Sequence, residues 1–527
     1  MATNGIFKSW VPEWGIRIGI FLVFLPNLIL LTISTANYTA AAGFYGIDPN
    51  DVSFSLIVQY ATFVAYFVLE KRFSNYFVTK DYLFLSLSLE IILAFCSYFA
   101  KDFRILLFTR FLEGITSVNV ASVCIALIIS RLQSDRAVKI SYSIVYVILL
   151  SIFPFITFIT SPFLDEVDFN RIYFGVAFLF IPGAIFLLII MKRGRLKPKV
   201  SLEGLDWQSA LLFLLSLFSL CYILIYGQQL NWFDDRRIWY ALGIAIVLGS
   251  VFIVRQHYSQ NPYINISIFR NKHYLVGIVL VLVLYLARGA FNLTTNYFSD
   301  VLGMDPLHVG RMVVINILGI IGGSLVAPRM IRNNTFRVVW LAGFGCLLIY
   351  YFWMIFLFDT YADASTFFIP LFVQGFGAGL LLTPIVVFMV TSVPANAGLS
   401  AITIGICSRL MGTCISIAII NYFTLYNPEN HFNRFQENLS RLNPNLNQNL
   451  EAYQNIYTAR QITLDKAGTA SLSQLNHHLL VQGELRSAMD YYYLMGWMLL
   501  LVLILIAIAP YIKREKRHID PASDIPI

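Results

Sequence analysis

Long apolar runs recur along almost the whole chain, and each is long enough to cross a lipid bilayer as a helix. A spanning helix needs about 20 mostly apolar residues, whereas the strands of a membrane barrel are shorter and alternate. Of the 527 residues, 58% are hydrophobic and only 13% are charged, which is too little charge to cover a soluble surface. The sequence therefore predicts an all-α polytopic membrane protein. We expect about fourteen spans, at 16–38, 52–69, 82–100, 104–130, 140–162, 172–191, 207–228, 238–254, 274–297, 306–328, 337–358, 366–391, 396–425 and 488–512.

Lysine and arginine concentrate in alternate connecting loops, with a bias of roughly four to one. Because positively charged loops stay in the cytoplasm, both termini are expected to be cytoplasmic, which requires an even number of spans. The first apolar run is long enough to stay in the membrane, so we expect no cleaved signal. The sequence thus predicts a multi-pass protein of the cytoplasmic (inner) membrane. The net charge of +8 is then mainly loop charge and does not indicate a nucleic-acid partner.

One long segment, residues 426–487, separates the last two predicted spans on the side opposite to the termini. It is rich in asparagine and glutamine and carries apolar residues at helical spacing, over 450–457 and again over 475–485. Long ordered loops are commonly functional. Two interpretations stay open, a solvated linker and a helical hairpin that docks on something outside the membrane.

A short internal echo suggests a repeat. Leu112-Glu113-Gly114 in the fourth span matches Val373-Gln374-Gly375 in the twelfth. Two six-helix halves separated by a two-helix insert would give this offset of eight helices, and internal repeats mark many secondary transporters. We therefore predict an N-terminal six-helix bundle at 1–199, an insert with a cytoplasmic linker at 200–273, and a C-terminal six-helix bundle at 274–527. The last part includes the external loop 426–487 and a basic tail at 513–527.

Three stretches resemble the major facilitator superfamily. Arg110-Phe-Leu-Glu-Gly resembles its fourth-helix Arg-x-x-Gln-Gly motif, and Arg409-Leu-Met-Gly resembles a thirteenth-helix pattern of its fourteen-span drug/proton antiporters. The stretch 481–490 resembles the approach to their last helix. The resemblance implies the two-bundle fold, proton-coupled efflux of hydrophobic or amphipathic compounds, and a coupling role for Arg110. It also implies a tripartite pump in which a periplasmic adaptor contacts 426–487. The fifth helix lacks the antiporters' Gly-Pro-Gly-Gly motif, which leaves uptake or lipid-precursor flipping open as alternatives.

Five ionisable residues lie deep inside the predicted spans, namely Glu90, Arg110, Glu113, Arg288 and Arg409. A charge at the bilayer centre costs roughly 2.5–3.5 kcal/mol on insertion scales, so such residues are functional candidates. Arg110 and Glu113 lie three residues apart on one side of a helix. A carboxylate binds a proton more readily when a neighbouring guanidinium moves away, so this pair is predicted to couple transport to protons. A static pair that aids insertion is the alternative.

Glu90 is a second predicted proton carrier, with hydrogen bonding to Ser86 or Ser88 as the packing alternative. Arg288 and Arg409 either pair with the acids across a cavity or offer positive charge to an anionic substrate. Together with Asn37 and Gln374 they are predicted to line the substrate cavity. Aromatic residues that could wall this cavity are Tyr60, Tyr66, Tyr222, Tyr285 and Phe291.

The residues that enzymes use are poorly placed in this sequence. The seven histidines lie in connecting segments or the tail, and the six cysteines lie in apolar runs without metal-ligand spacing. A phosphate-binding Gly-x-x-x-x-Gly-Lys loop is missing from the sequence. We therefore expect a non-enzyme without metal or cofactor, whose partners are small molecules, protons and the lipid bilayer. A membrane-embedded enzyme and a receptor are the alternatives from other classes.

Overall fold

The computed structural model describes residues 6–36, 38–130, 135–163, 168–196, 198–202, 204–331, 336–437, 439, 444–461 and 463–509. Within these ranges the secondary structure is helical apart from one isolated bridge between Phe7 and Met191. Fourteen of the described helices are long and apolar enough to cross a membrane, which confirms the predicted fold class.

The N-terminal helices gather around α5. In α5, 78% of the membrane-spanning window is buried, more than in any other helix before residue 200, because it packs against α1, α3 and α4. This central position is the reason that charged residues on α5 are shielded from lipid. The N-terminal helices are α1 Glu13–Ala36, α2 Tyr38–Tyr45, α3 Pro49–Tyr76, α4 Thr79–Phe99, α5 Phe103–Ser130, α6 Asp135–Thr160 and α7 Arg171–Ile190.

Two further helices form a pair at the edge of the structure. These are α8, Trp207–Tyr226, and α9, Arg236–Tyr258, which pack against each other, while α8 also contacts α3 and the later helix α15, Gly398–Asn421. Only 28% and 22% of their spanning windows are buried, so most of their apolar surface faces lipid. Asp206 caps α8 by accepting a hydrogen bond from the Ser209 amide (3.2 Å), and it forms an ion pair with Arg255 of α9 (2.9 Å).

The C-terminal helices gather around α14, which is the most buried of all the described spans. The ninth predicted span, 274–297, is composed of three successive helical segments. Helix α10 ends at Arg288, α11 follows after Gly289, and a π-helical turn runs over Tyr297–Val301. The helices of this set are α10 Lys272–Arg288, α11 Ala290–Asn296, α12 Pro306–Ile331, α13 Phe336–Leu357, α14 Phe368–Thr391 and α15 Gly398–Asn421.

The segment 426–487 is largely helical in the part that the structure describes. It comprises α16 (Asn427–Glu437), α17 (Pro444–Ala459) and the first half of α18 (Leu464–Ile508). At 1.5 Å per residue the 45-residue α18 is about 67 Å long, roughly twice the hydrocarbon thickness of a bilayer. The described helical part of the last predicted span, 488–508, is therefore the second half of a helix that begins well outside the membrane. The structure favours the helical interpretation of this segment over a solvated linker.

Candidate functional site

Arg110 and Glu113 form a fully buried ion pair on α5. Arg110 Nη1 donates to Glu113 Oε2 over 2.8 Å, and the two side chains are only 1% and 0% exposed. The same nitrogen also donates to Gln59 Oε1 of α3 (3.0 Å) and to the Leu30 carbonyl of α1 (3.1 Å). The structure thus brings together the two residues that the sequence analysis paired, and it adds neutral acceptors from two other helices.

Two further helices complete the surroundings of this ion pair. Ser97 of α4 donates to Glu113 Oε1 over 2.9 Å. Arg110 Nη2 donates to the hydroxyl group of Tyr173 on α7, and the guanidinium group lies over the same ring at 5.1 Å. Side chains or carbonyls of α1, α3, α4 and α7 therefore all bond to one pair on α5. Any rearrangement of these helices would change the surroundings of the Glu113 carboxylate.

A glycine next to the pair allows α3 to approach α5. A Cβ atom at Gly114 would lie 2.5 Å from the Gln59 carbonyl oxygen, closer than real Cβ contacts. The predicted echo shows the same packing, because a Cβ atom at Gly375 on α14 would lie 2.2 Å from the Asn316 carbonyl of α12. In the echo, Gln374 Oε1 accepts a hydrogen bond from Asn316 Nδ2 over 2.5 Å. The structure thus places Gln374 in a helix–helix contact, and its predicted role in a substrate cavity stays a prediction.

Glu90 is completely buried on α4. Neither oxygen of its carboxyl group has a hydrogen-bond partner, and the same is true of Ser117 Oγ and Asn27 Oδ1. Glu113 and Cys124, both on α5, interact electrostatically with Glu90, and Ser117 on the same helix lies near its carboxyl group. The structure shows no hydrogen bond between Glu90 and Ser86, one of the two packing partners considered from the sequence, and the Ser86 hydroxyl donates to the Tyr82 carbonyl over 2.9 Å. Glu90 thus stands close to the ion pair without being part of its hydrogen-bond network.

Arg288 and Arg409 lie where C-terminal helices meet N-terminal helices. Arg288 Nη2 donates to the Leu150 carbonyl of α6 over 2.8 Å. The Arg409 guanidinium group lies over the Tyr146 ring of α6 at 5.4 Å. Within the described ranges, no carboxylate lies within 4.0 Å of either arginine. The predicted pairing with acids across a cavity is therefore wrong, and tyrosines and a backbone carbonyl take that place.

Tyrosines from both sides of this junction surround the two arginines. Arg409 interacts electrostatically with Tyr60 on α3, Tyr146 on α6 and Tyr285 on α10, and Arg288 lies 5.9 Å from the Tyr285 ring centre. Tyr60 and Tyr285 were expected to wall a cavity from the sequence. The placement of the remaining predicted cavity residue, Asn37, lies outside the described residues.

Close packing of α10 and α15 places the two arginines on neighbouring helices. A Cβ atom at Gly289 would lie 1.7 Å from Ser416 Oγ, and one at Gly412 would lie 2.8 Å from the Leu282 carbonyl oxygen. Ser416 Oγ also donates to the Leu286 carbonyl over 3.1 Å. These small residues let the helix backbones approach, as in other membrane helix pairs.

Several partners of the buried charges were not predicted from the sequence. Gln59, Ser97, Tyr173 and Tyr146 all contact one of them. Gln59 carried a usable signal, because an amide in the middle of an apolar span is expected to face the bundle interior. The other three are residue types that occur throughout the spans. In the described part of the chain, no group of three or more His, Cys, Asp or Glu residues could hold a metal ion.

The fold and this arrangement of charges define a polytopic helical membrane protein in which one ion pair, a buried arginine and a partly buried arginine lie among the helices. The chain belongs to the Major Facilitator Superfamily, whose family model matches residues 17–417.

Similar curated proteins carry names of drug resistance and export. The multidrug resistance protein Stp of Mycobacterium tuberculosis is 28% identical over 216 residues, which are 41% of this chain and 40% of that protein. The chain thus spans about two fifths of the length of this relative. The multidrug export protein EmrB of Escherichia coli is 20% identical over 66% of this chain and 67% of that protein. EmrB of Haemophilus influenzae is 20% identical over 84% of both chains.

Solved structures of transporters share the fold. A POT family transporter in complex with 5-aminolevulinic acid aligns with a TM-score of 0.60 and 12% identity, covering 95% of this chain and 97% of that one. Another POT family structure, with a thioalcohol-conjugated peptide, aligns with a TM-score of 0.59 and 11% identity. At this identity the likeness concerns the fold alone.

Proposed function

We propose that this protein exports hydrophobic or amphipathic small molecules in exchange for protons. The observation that carries the proposal is the buried Arg110–Glu113 pair, which hydrogen-bonds to four other helices in a chain of the Major Facilitator Superfamily. The names of Stp and EmrB support drug-like substrates and export. An ion pair that served insertion alone would not need bonds to so many separate helices.

The proposed coupling works through changes in the surroundings of Glu113. Arg110 is held by Gln59, Leu30 and Tyr173 as well as by Glu113, so helix movement can shift its bonds from the carboxylate to the neutral acceptors. A carboxylate that loses a neighbouring cation binds a proton more readily. The proton would be taken up in one orientation of the transporter and released in the other. Glu90, close to Glu113 and buried without a hydrogen bond, is the second proposed proton carrier.

Alternating access would be a movement of the N-terminal helices against the C-terminal helices. We propose the division 1–199, 200–273 and 274–527 for this purpose, with α8 and α9 as a lipid-facing insert. The contacts of Arg288 with Leu150 and of Arg409 with Tyr146 cross from one set to the other. Such contacts would have to break and re-form in each cycle, which suits a site that opens to alternate sides.

The predicted adaptor contact is assigned to the helical segment 426–487, with both termini in the cytoplasm of an inner-membrane protein. Its helices are held together by specific contacts, such as the stacking of Tyr453 on His478 at 5.7 Å. Large apolar side chains nevertheless stay exposed on it, among them Ile456, Leu472 and Leu480. A partner protein in the periplasm would cover them. Cross-linking from position 472 should capture such a partner in cells, and position 240 in the insert, exposed to a similar degree, serves as the control. Equal capture from both positions would contradict the assignment.

Flux measurements on the purified protein in proteoliposomes test the proposed function. A panel of hydrophobic compounds is followed with and without an imposed pH gradient. We expect uphill movement of at least one compound that depends on the gradient and stops when a protonophore collapses it. Gradient-independent, downhill movement of every transported compound would contradict proton coupling. Movement of compound together with protons, in the same direction, would favour the uptake alternative.

A further inference from the structure

We propose that Arg288 and Arg409 bind the negatively charged group of an amphipathic organic anion. This inference rests on the transport function proposed above and names the substrate class. Its basis is the juxtaposition of the buried Arg409 and the partly buried Arg288 with tyrosines and a backbone carbonyl, at the junction between the N-terminal and C-terminal helices.

The two arginines lack a neutralising charge. Arg409 is 5% exposed and its Nε atom has no hydrogen-bond partner. Among the described residues, neither arginine has a carboxylate within 4.0 Å, whereas Arg110 is neutralised by Glu113. The partners of Arg288 and Arg409 are a carbonyl and tyrosine rings, which carry no full negative charge. A buried charge that is not neutralised is destabilising, so Arg409, with Arg288 on the neighbouring helix, favours a ligand that supplies the missing negative charge.

The neighbouring surface is suited to the apolar body of such a ligand. Tyr146 and Leu150 are four residues apart and lie on one face of α6, where they meet Arg409 and Arg288 respectively. Phe153 follows three residues later and makes an edge-on contact with Phe291 of α11, with ring centres 5.8 Å apart. The same face of α6 thus offers hydrogen-bonding groups beside the charges and aromatic rings beyond them. This gradient matches a molecule with an anionic head and an aromatic or aliphatic body.

The position of the site links binding to the transport cycle. Each arginine belongs to a C-terminal helix, and its present partner belongs to α6 of the N-terminal set. An anion that took over these bonds would replace contacts between the two sets of helices by contacts with itself. Binding and helix rearrangement would then be coupled, as a transporter requires.

Two probes with the same ring system and head groups of opposite charge test the inference. Naphthalene-2-sulfonate carries an anionic head group and 2-naphthyltrimethylammonium carries a cationic one. Binding to the detergent-purified full-length protein is measured by equilibrium dialysis. We expect naphthalene-2-sulfonate to bind at least ten-fold more tightly than 2-naphthyltrimethylammonium. Equal binding, or a preference for the cation, would overturn the inference, and this comparison needs no variant.

Variants assign the preference to the two arginines. In Arg288→Gln/Arg409→Gln we expect the difference between the probes to fall below three-fold. The matched control Arg237→Gln, which removes an exposed arginine paired with Asp235, should keep the full preference. Thermal unfolding of each variant checks that it is folded. If the double variant does not fold, the single variants are compared. A full preference that survives the loss of both arginines, whether removed together or one at a time, would overturn the assignment.

The failure of this inference and the failure of the proposed function are distinguishable. A protein that prefers naphthalene-2-sulfonate but moves no compound under a pH gradient would contradict the transport function and support the anion site. A protein that exports 2-naphthyltrimethylammonium in exchange for protons and does not bind naphthalene-2-sulfonate would contradict the anion site and support the transport function.

Discussion

Gly114 on α5 and Gly375 on α14 occupy matching positions, since each lies against the backbone carbonyl of an amide residue on a neighbouring helix. The carbonyl belongs to Gln59 in the first case and to Asn316 in the second. The residue before each glycine is polar. Gln374, which precedes Gly375, accepts a hydrogen bond from the side chain of Asn316. The two sites differ in charge, because the first pairs Glu113 with Arg110 and the second holds the neutral Gln374. The close glycine contact is thus found at both sites, and the ion pair at the first.

Adding a methyl group at either glycine should destabilise the protein. The new Cβ atom would lie 2.5 Å or less from a backbone oxygen that cannot rotate away, so the helices must separate. We expect Gly114→Ala and Gly375→Ala each to lower the free energy of unfolding by about 1–3 kcal/mol. Gly345→Ala is the matched control, because a Cβ atom there meets nothing within 4 Å. Thermal unfolding in detergent measures all three, and similar midpoints for all of them would contradict the packing described.

Replacing Glu90 by an apolar residue should make the protein more stable and less active in proton-driven export. Its carboxyl group is buried without a hydrogen bond, and such groups are costly. We expect Glu90→Leu to raise the free energy of unfolding by about 1–3 kcal/mol while it lowers proton-driven export at least ten-fold. Ser86→Ala serves as the control, because its hydroxyl bonds only within its own helix, and both properties should stay close to those of the wild type. Full export by a stabilised Glu90→Leu protein would remove Glu90 from proton coupling.

The ion pair at the start of α8 gives a prediction about pH. Partial burial raises the pKa of Asp206, but hydrogen bonds from Ser209 and Arg255 outweigh it and hold that pKa below its ordinary value. The ionised Asp206 carboxylate therefore stabilises the folded protein fully above the pKa that this group has in the unfolded state, about 3.9. This stabilisation is lost as the pH falls through the lower pKa of Asp206 in the folded state.

Asp206→Asn isolates the charge, since asparagine is an equally good N-cap. We expect it to lower stability at pH 7 by about 1 kcal/mol or less, because the pair is partly exposed. The difference from the wild type should shrink as the pH falls below about 3.9 and disappear below the lowered pKa of the folded state. Unfolding monitored by tryptophan fluorescence between about pH 7 and pH 2 measures it. A difference that stays constant over this range would contradict the electrostatic origin.

Hydropathy and residue spacing were sufficient to predict the membrane spans and one buried ion pair. The hydropathy of the spans predicted all fourteen, and the three-residue spacing of Arg110 and Glu113 predicted their pairing. The surroundings of Arg288 and Arg409 could not be predicted in this way. Their partners are a carbonyl and a tyrosine of α6, more than 130 residues away along the chain, and no local pattern marks which tyrosine will face a distant arginine. The helical form of 426–487 was one of two interpretations, because its apolar spacing is weak.

Substrate-dependent proton movement in proteoliposomes tests the coupling role of the Arg110–Glu113 pair most directly. A pH-sensitive dye is trapped inside the vesicles, and an exported compound is added to the wild type, Glu113→Gln, Arg110→Ala and the control Arg237→Gln. We expect the wild type and the control to move protons against the compound. Glu113→Gln and Arg110→Ala should move the compound only downhill, with no accompanying proton signal. Proton movement that is unchanged in both variants would show that this buried pair does not couple transport to protons.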